Sequence, residues 1–484
     1  MECATLLERA ASLANIDLQR NGFVPSTTDA QEIRRVSNEL LADLQRVDSE
    51  TQRLALVQQK LADQLAVNHS ILAPVRRIPP EVLSEIFVCF AFAQADTKHP
   101  KEYSWAHLIS TTVARVCTTW RAVARGTPQL WTYLSTSLDP ESTRAMLLPE
   151  ASLQQQLALT GALPLHLMHV THHDTILRTF FAALRPHCAR WHSLTIWGSY
   201  NFFDAQPVHN LPSLRTATVT MDGHPQANPL NFLSNASSLQ FLRIENLPSE
   251  LHSPVSPVLT IPSFPNLKSL DVSIRCPLPV DILSAIRPCK ASLVDLIVDV
   301  MELHHSASER EPVVMESLAI LQLWRATSLL LEDLITPALQ SIGLSAIEGD
   351  PFPLLFGFLS RQQHPENLQE LHLIEVNAPF EGATFLRCLP HLQHLRILYV
   401  EENSEAEPVM TENVLAALTC TDDRRPLLPN LACLELIVKL RHPWHAWKEA
   451  LLTMYQSRQR PRVCASQPVV VLTLRTELQE LAAE

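Results

Sequence analysis

The hydrophobic residues between residues 28 and 72 recur at alternating intervals of three and four positions. Thr28 followed by Gln31 predicts a capping box at the start of a long helix. The apolar seam positions are Ile33, Leu40, Leu44, Val47, Leu54, Leu61, Leu65 and Leu72, and the polar ones are Ser37, Thr51, Gln58 and Asn68. This heptad-like pattern predicts a coiled coil or a helical hairpin over residues 1–73.

A shorter apolar pattern over residues 4–20 predicts an amphipathic helix that ends at Asn21-Gly22. Two arrangements of the long helix remain open. The helix either pairs with a second copy of itself, or folds back on residues 4–20 or on the helices that follow it. The polar seam residues Gln58 and Asn68 would weaken the core of a dimer.

A different pattern begins at Trp191, where the unit L-x-x-L-x-L recurs to the end of the chain. Each unit predicts a short strand, because alternate strand residues point to one face. The copies are Trp191-Leu194-Ile196, Leu214-Ala217-Val219, Leu239-Leu242-Ile244, Leu267-Leu270-Val272, Leu293-Leu296-Val298, Leu318-Leu321-Leu323, Leu339-Ile342-Leu344, Leu368-Leu371-Leu373, Leu392-Leu395-Ile397, Leu431-Leu434-Leu436 and Val469-Leu472-Leu474. Most start about 20–29 residues apart, so the pattern resembles leucine-rich repeats and implies an irregular solenoid over residues 191–484.

Short helices are predicted between the strands, at Asp281–Ile286, Phe380–Leu389, Glu412–Leu418 and Trp444–Tyr455. A further strand at Pro164–Val170 and a helix at Ile176–Leu184 fall in a linking segment, residues 135–190. The acidic stretch Glu401–Glu407 predicts a solvated loop. The predicted fold class is therefore α/β, with helices first and a repeat array after them.

Residues that flank the motif leucines are expected on the opposite, exposed face of the strands. Charges of both signs and one Trp suit a protein or peptide target better than an apolar small molecule. The candidate target-binding residues are Arg243, Asp271, Asp295, Trp324, His372, Arg396 and Glu435, with Glu245 and Asp299 on the same face. For any one of these residues the alternative is an ordinary solvated position.

Between these two patterns, residues 74–134 combine prolines with short apolar helices. The segment reads IPPEVLSEIFVCF from Ile78 and VCTTWRAVARGTPQLW to Trp131. Pro80 suits the first turn of a helix, where its missing N–H costs nothing. A polar insert near residues 94–101 predicts a surface loop. Short helices that carry this many large apolar side chains indicate a surface for a partner.

This segment resembles the F-box, the module that binds the Skp adaptor of Skp–cullin–F-box ubiquitin ligases. The resemblance implies a three-helix module over residues 74–134, with a bound Skp adaptor and, through it, a cullin. The residues that it assigns to the adaptor contact are Ile78, Pro79, Val82, Leu83, Ile86, Phe87, Val116, Cys117 and Trp120.

The composition bears on the partners and the cellular compartment that we expect for the chain. The net charge of −12 repels phosphates and anionic membrane surfaces, so neither nucleic acid nor membrane is an expected partner. Ten cysteines without a CxxC pair favour reduced thiols, and no signal-peptide pattern is seen at the N-terminus. We therefore expect a cytoplasmic or nuclear protein.

Four histidines, His166, His169, His172 and His173, are the strongest candidates for a metal site. On an extended strand His166 and His169 point to opposite faces, so ordinary histidines are favoured over a metal site.

No spacing of a hydrolase, kinase or metalloenzyme is present, and the nine glycines form no phosphate-binding loop. The sequence thus predicts a non-catalytic protein without a cofactor. Its expected role is the substrate-recognition adaptor of a Skp–cullin–F-box ubiquitin ligase. The alternative is a repeat scaffold that binds proteins outside any ligase.

Overall fold

The heptad segment forms a single helix of 46 residues in a computed structural model of the chain. The chain divides into two compact units, Met1–Leu83 and Ser84–Glu484. The structure describes residues 2–93, 112–136, 150–170, 174–207, 210–222, 230–247, 259–275, 280–303, 311–347, 349–377, 382–402, 408–421, 427–438, 448–459 and 471–476.

The first unit begins with three helices, α1 (Glu2–Leu13), α2 (Ile16–Arg20) and α3 (Thr27–Leu72). A capping box starts α3, but it lies two residues earlier than predicted. The Asp29 N–H donates to Ser26 Oγ at 3.2 Å, and the Ser26 N–H donates to Asp29 Oδ2 at 3.2 Å. The Thr28–Gln31 box was wrong because Ser26 keeps an extended backbone, whereas Thr28 is already helical.

α1 lies along the N-terminal part of α3. Arg9 of α1 donates to Glu32 at 2.5 Å, and Val36 of α3 is buried. From Leu44 to Leu72, by contrast, every residue of α3 is exposed within the unit. The predicted return of residues 4–20 onto the long helix therefore covers only its first part.

The boundary between the units falls inside α4 (Pro80–Ala93). In the second unit, α5 (Ala114–Val116) and α6 (Thr118–Arg125) precede a 3₁₀ turn at Pro128–Trp131. Residues 94–111, which include the predicted surface loop, lie outside the described residues. No helix within the described ranges combines the length and the low polarity that crossing a bilayer requires.

The second unit is built on a parallel sheet of 13 strands whose spatial order follows the chain. Each strand of this sheet therefore pairs with the sheet strand that follows it in the chain. The strands are β1 (Tyr133–Thr136), β2 (Leu165–His169), β3 (Trp191–Ser199), β4 (Thr216–Asp222), β5 (Phe241–Leu247), β6 (Ser269–Ile274), β7 (Asp295–Val300), β9 (Ile320–Arg325), β11 (Ser341–Ser345), β12 (Glu370–Ile374), β13 (Ile397–Glu402), β14 (Cys433–Val438) and β15 (Val471–Thr476). β8 (Val313–Val314) and β10 (Leu334–Ile335) form a separate pair.

Helices fill many of the crossovers, as parallel pairing requires. They are α7 (Glu150–Leu159), α8 (Asp174–Leu184), α9 (Tyr200–Asp204), α10 (Ile282–Ile286), α11 (Phe352–Arg361), α12 (Ala383–Cys388), α13 (Glu412–Leu418) and α14 (Lys448–Arg458). The predicted helices coincide with α8, α10, α12, α13 and α14, within a few residues. The predicted starts of α12 and α14, Phe380 and Trp444, lie outside the described residues. The sequence did not predict α11.

The core lies between the sheet and these crossovers. Leu242, Leu270 and Leu296 occupy one register position on adjacent strands, and all three are fully buried. Each fully buried leucine contributes roughly 1.5–3 kcal/mol through removal of apolar surface from water. Because the strands of the sheet from β1 to β14 each add buried apolar residues to those of their neighbours, a single core runs along this part of the sheet.

One copy of the leucine motif is in the wrong phase in the sequence prediction. Ile397 is only half-buried, whereas Leu398 and Val400 are buried and pair with Leu371 and Leu373 of β12. The strand therefore uses Leu395-Leu398-Val400 in place of Leu392-Leu395-Ile397. Leucines fit both phases in this stretch, and the register against β12 decides between them.

The sheet also begins earlier than the repeats do. β1 and β2 pair in parallel with each other, and β2 pairs with β3 at Trp191. β2 confirms the strand predicted at Pro164–Val170 and adds the linking segment to the sheet. At the other end, β15 pairs Leu472 with Leu434, while Val469 of that copy lies outside the described residues.

Glu402 and Arg458 are buried charged residues near the C-terminal strands. Glu402 was predicted to lie in a solvated loop, but it ends β13 and accepts from the Val409 and Met410 N–H groups at 3.2 and 2.9 Å. Residues 403–407 lie outside the described residues. Burial raises the pKa of Glu402 to about 7, although these two donors act in the opposite direction.

Arg458 fixes the end of α14 to the elements before it. Its Nε donates to the Leu418 carbonyl at 2.8 Å, its Nη1 to the Leu428 carbonyl at 2.9 Å and its Nη2 to the Leu427 carbonyl at 2.5 Å. A guanidinium can satisfy several carbonyls at once because its donors are fixed in one plane.

Replacing Arg458 by Leu removes these donors and leaves the carbonyls buried. Since an unsatisfied buried acceptor costs about 1–3 kcal/mol, the free energy of unfolding should fall by roughly 3 kcal/mol or more. Urea unfolding followed by tryptophan fluorescence measures the change. Arg215→Leu, at an exposed position, should change it by no more than about 0.5 kcal/mol. Equal effects of the two substitutions would contradict this role of Arg458.

Replacing Glu402 by Gln should remove one pH dependence of stability. The pKa is about 7 in the folded chain and near its ordinary value of 4.5 in the unfolded chain. The contribution of Glu402 is therefore present below pH 4.5 and is lost as the pH rises to about 7. Urea unfolding at a series of pH values should show wild type losing stability relative to Glu402→Gln through this window. Parallel curves would count against the assignment.

Candidate partner-binding surfaces

A ring pair in the second unit holds α4 against α6. The buried Phe87 ring lies 5.0 Å from the Trp120 ring, centroid to centroid, at a tilt of 58°. Tilted aromatic pairs of this kind add to the energy of apolar burial. Phe87 is thus a core residue of the second unit, and Leu83 is buried as well; both were predicted as adaptor contacts.

The ends of α5 and α6 are fixed by local hydrogen bonds. The Trp120 N–H donates to Cys117 Sγ at 3.4 Å, which caps α6 at its start. Arg121 Nε donates to the Ala114 carbonyl at 2.9 Å. The Trp131 indole N–H donates to the Ala124 carbonyl at 2.8 Å and is buried. These bonds fix the ends of α5 and α6, the helices that carry Val116 and Trp120.

Large apolar side chains point to solvent from this rigid base. Ile86 is 45% exposed, Phe90 is 41% exposed and Val116 is 54% exposed. We name the set Ile86, Phe90, Val116, Cys117 and Trp120 the helical apolar surface; its last two members are half-buried. Exposed apolar side chains of this kind are typical of a site for a partner protein.

The remaining predicted adaptor contacts belong to the first unit. Ile78 is half-buried at the start of α4, and Pro79 and Val82 are exposed. Val82 precedes Ile86 by four residues, so the two lie on one face of α4. Of the predicted set, the structure thus assigns two residues to the core and leaves the others at least partly open to solvent.

A row of side chains crosses the partly exposed face of the sheet. The register places Arg243 beside Asp271, His372 beside Tyr399, and Tyr399 beside Glu435. Gln322 and Gly343 lie between the two ends of this row. Adjacent strands are about 4.8 Å apart, so one extended partner could contact many of these residues. We name this set the sheet row.

The sequence predicted most members of this face correctly. Arg243, Asp271, His372 and Glu435 lie in the sheet row, and Asp295 and Trp324 lie in the rows on either side. Arg396 does not, because it directly precedes β13, and its place is taken by Tyr399. The overlapping leucine phases in LPHLQHLRILYV caused this error.

Charges on β5–β9 form a connected network. Arg243 lies 2.7 Å from Glu245 and 3.5 Å from Asp271, and Arg325 lies 2.7 Å from Asp299. Ser269 donates to Asp295 at 2.9 Å. Acidic groups outnumber basic groups in this network, so this part of the face carries a negative potential.

Burial is the largest cause that raises the pKa of Asp271. The charge of Arg243 acts to lower this pKa, and the neighbouring Glu245, Asp295 and Asp299 raise it further.

The predicted histidines occupy opposite faces of β2. His169 is buried and is hydrogen-bonded to Thr136, whereas His166 is half-buried and stacks 4.3 Å from the Tyr133 ring. Burial, and to a lesser extent His192, lowers the pKa of His166 to about 4. His172 and His173 lie outside the described residues. Across the described part of the chain no three His, Cys, Asp or Glu side chains are placed to bind a metal ion.

No protein-family profile, curated protein or solved structure matches this chain.

Phe87 and Phe90 offer a direct test of the division between core and surface in α4. Phe87→Ala should lower the free energy of unfolding by about 3–5 kcal/mol, because it leaves a cavity under Trp120. Phe90→Ala, three residues away, should change it by no more than about 1 kcal/mol, because its ring is partly in water already. Urea unfolding of both variants measures the difference. The reverse order would show that the helix is rotated from the position described.

Proposed function

We propose that this chain is a non-catalytic substrate receptor of a Skp–cullin–F-box ubiquitin ligase. In this proposal α4–α6 bind the Skp adaptor, and through it the cullin, while the sheet binds a target protein. The exposure of Ile86, Phe90 and Val116 on the helices α4 and α5 is the observation that carries it, since Ile86 and Val116 are among the residues that the F-box resemblance assigns to the adaptor contact.

The energetics of the helical apolar surface suit this role. Each of these three side chains would bury further apolar area against a partner, and that removal from water favours association. The Phe87–Trp120 pair and the capped start of α6 hold the surface in place beforehand. A preorganised surface binds more tightly because little ordering is left to complete on binding.

The finer architecture of the second unit is part of the proposal. A parallel sheet that follows chain order, with helical crossovers and one continuous leucine core, is what an irregular leucine-rich-repeat solenoid would have. Such repeats bind their partners along the exposed face of the strands. In this chain that face carries the sheet row.

The target is a protein or peptide with basic side chains facing β5–β9. Glu245, Asp271 and Asp299 lie close together there, and Arg243 and Arg325 offset them only in part. Lysine or arginine of a target would pair with these carboxylates, which gives the charge complementarity of a specific interface. The aromatic pair His372–Tyr399, with centroids 5.6 Å apart, offers apolar contact farther along the row.

Catalysis in this proposal comes from proximity alone. The assembly would bring a lysine of the target near a conjugating enzyme that carries ubiquitin, which raises its effective concentration. The receptor itself supplies no nucleophile, base or cofactor. The cytoplasm or the nucleus is the proposed place of action.

Ile86 provides the decisive substitution. With purified Skp adaptor and full-length chain, Ile86→Lys should weaken binding at least about tenfold, since 1.4 kcal/mol corresponds to a factor of ten. Val170→Lys is the matched control, because Val170 and Ile86 are both 45% exposed. Isothermal titration calorimetry gives both dissociation constants, and circular dichroism checks that each variant is folded. Absence of adaptor binding by the wild-type chain would reject the ligase role and leave a scaffold outside any ligase.

A further inference from the structure

The C-terminal part of α3 is a long helix without a covering element. Every residue from Leu44 to Leu72 is exposed within the first unit, whereas α1 covers the preceding part. The seam positions here include Leu44, Val47, Leu54, Leu61, Leu65 and Leu72, all of them large and apolar and more than half exposed. This surface is independent of the helical apolar surface and of the sheet row.

Intrahelical ion pairs are too few to stabilise this segment in water. Glu50 and Arg53 form one pair at 2.6 Å, but Lys60 and Asp63 are the only other Asp, Glu, Lys or Arg residues after Arg53 in the helix. Isolated helices are marginal in water, and most of their stability in proteins comes from packing an apolar face. The seam of α3 therefore requires an occupant.

The outer side of the helix indicates that only the seam is to be covered. Gln59 donates to Asp63 at 2.8 Å, and neither residue lies in the seam. Lys60, Arg46 and Arg53 also lie away from the seam, as the solvated positions of a coiled coil do. One face of the helix is thus suited to water and one to another helix.

The polar seam residues select the occupant. Thr51 donates to the Val47 carbonyl at 2.8 Å and Asn68 accepts from Gln64 at 3.1 Å, so each keeps a hydrogen bond within its own helix. Gln58 would lose its hydrogen bonds to water against an aliphatic partner, which is costly for a buried group. In a parallel pair of identical helices in register, Gln58 meets Gln58 of the second copy. A glutamine side chain can donate and accept, so this layer can pair with itself. A polar residue in the seam also fixes register and copy number.

From this self-complementary seam we infer that the chain forms a parallel, in-register homodimer through residues 44–72 of α3. Two helices joined over this length bury on the order of 1,000–2,000 Å², which is the range of specific protein interfaces. Asp43 and Asp48 approach each other across such a dimer, and Arg46, 3.0 Å from Asp43, offsets part of that repulsion. An antiparallel pair that keeps the seam positions in contact places Gln58 beside Leu54 or Leu61, so its amide has no partner there.

Leu54 and Leu56 give a matched pair of substitutions. Leu54 is in the seam and Leu56 is on the outer side, and they are 53% and 65% exposed, respectively. Sedimentation equilibrium of the full chain at micromolar concentration should give twice 54.3 kDa for wild type and for Leu56→Glu. Leu54→Glu should give 54.3 kDa with the sheet intact by circular dichroism. A wild-type monomer, or equal loss of mass in both variants, would overturn the inference.

A cysteine at position 61 tests the direction of the helices. After mild oxidation of Leu61→Cys, peptide mass spectrometry should find position 61 linked to position 61 of the second copy, as parallel packing requires. In antiparallel pairs that keep the seam in contact, position 61 lies beside position 51 or 58, so Leu61→Cys combined with Thr51→Cys, or with Gln58→Cys, would link those positions between copies instead. A 51–61 or 58–61 link between copies would overturn the parallel arrangement. Neither experiment involves the Skp adaptor, so its outcome is separate from that of the proposed function.

Discussion

The register of parallel strands is the constraint on which the second unit depends. Apolar residues at one position of the strands from β1 to β14, most of them leucines, form a single buried line, and a shift by one residue would turn them to solvent. The β13 strand shows the strength of this constraint. Its sequence allows two leucine phases, and the structure uses the one that brings Leu398 beside Leu371. The same register then places Tyr399 on the exposed face and directs the sheet row across neighbouring strands.

The helices α3 and α4 expose large apolar side chains, whereas the strands of the sheet from β1 to β14 bury most of theirs. In α4, Phe87 is committed to the core while Ile86 beside it remains exposed. In α3, α1 covers the beginning of the helix and leaves the seam after Leu44 open. Since exposed apolar side chains favour association, both regions are the proposed sites of contact with other proteins. The sheet, whose apolar face is already covered, offers charge and hydrogen bonding instead.

The sequence predicted the long helix, the repeat strands and most crossover helices, because each has a clear periodicity. It missed the features that tertiary contacts decide. The Ser26 cap depends on backbone geometry, and the burial of Glu402 depends on the Val409 and Met410 N–H groups that meet it. Arg396 was assigned to the exposed face because periodicity alone could not choose the phase of β13. The predicted adaptor contacts mixed core and surface residues, since helical spacing marks apolar positions but not their exposure.

Hydrogen–deuterium exchange with and without purified Skp adaptor tests the central claim most directly, because it locates the contact along the chain. The account predicts slower exchange in residues 80–93 and 112–125 on addition of the adaptor, with the strands of the sheet unchanged. Unchanged exchange in both helical segments, or protection confined to the strands that carry the sheet row, would contradict it.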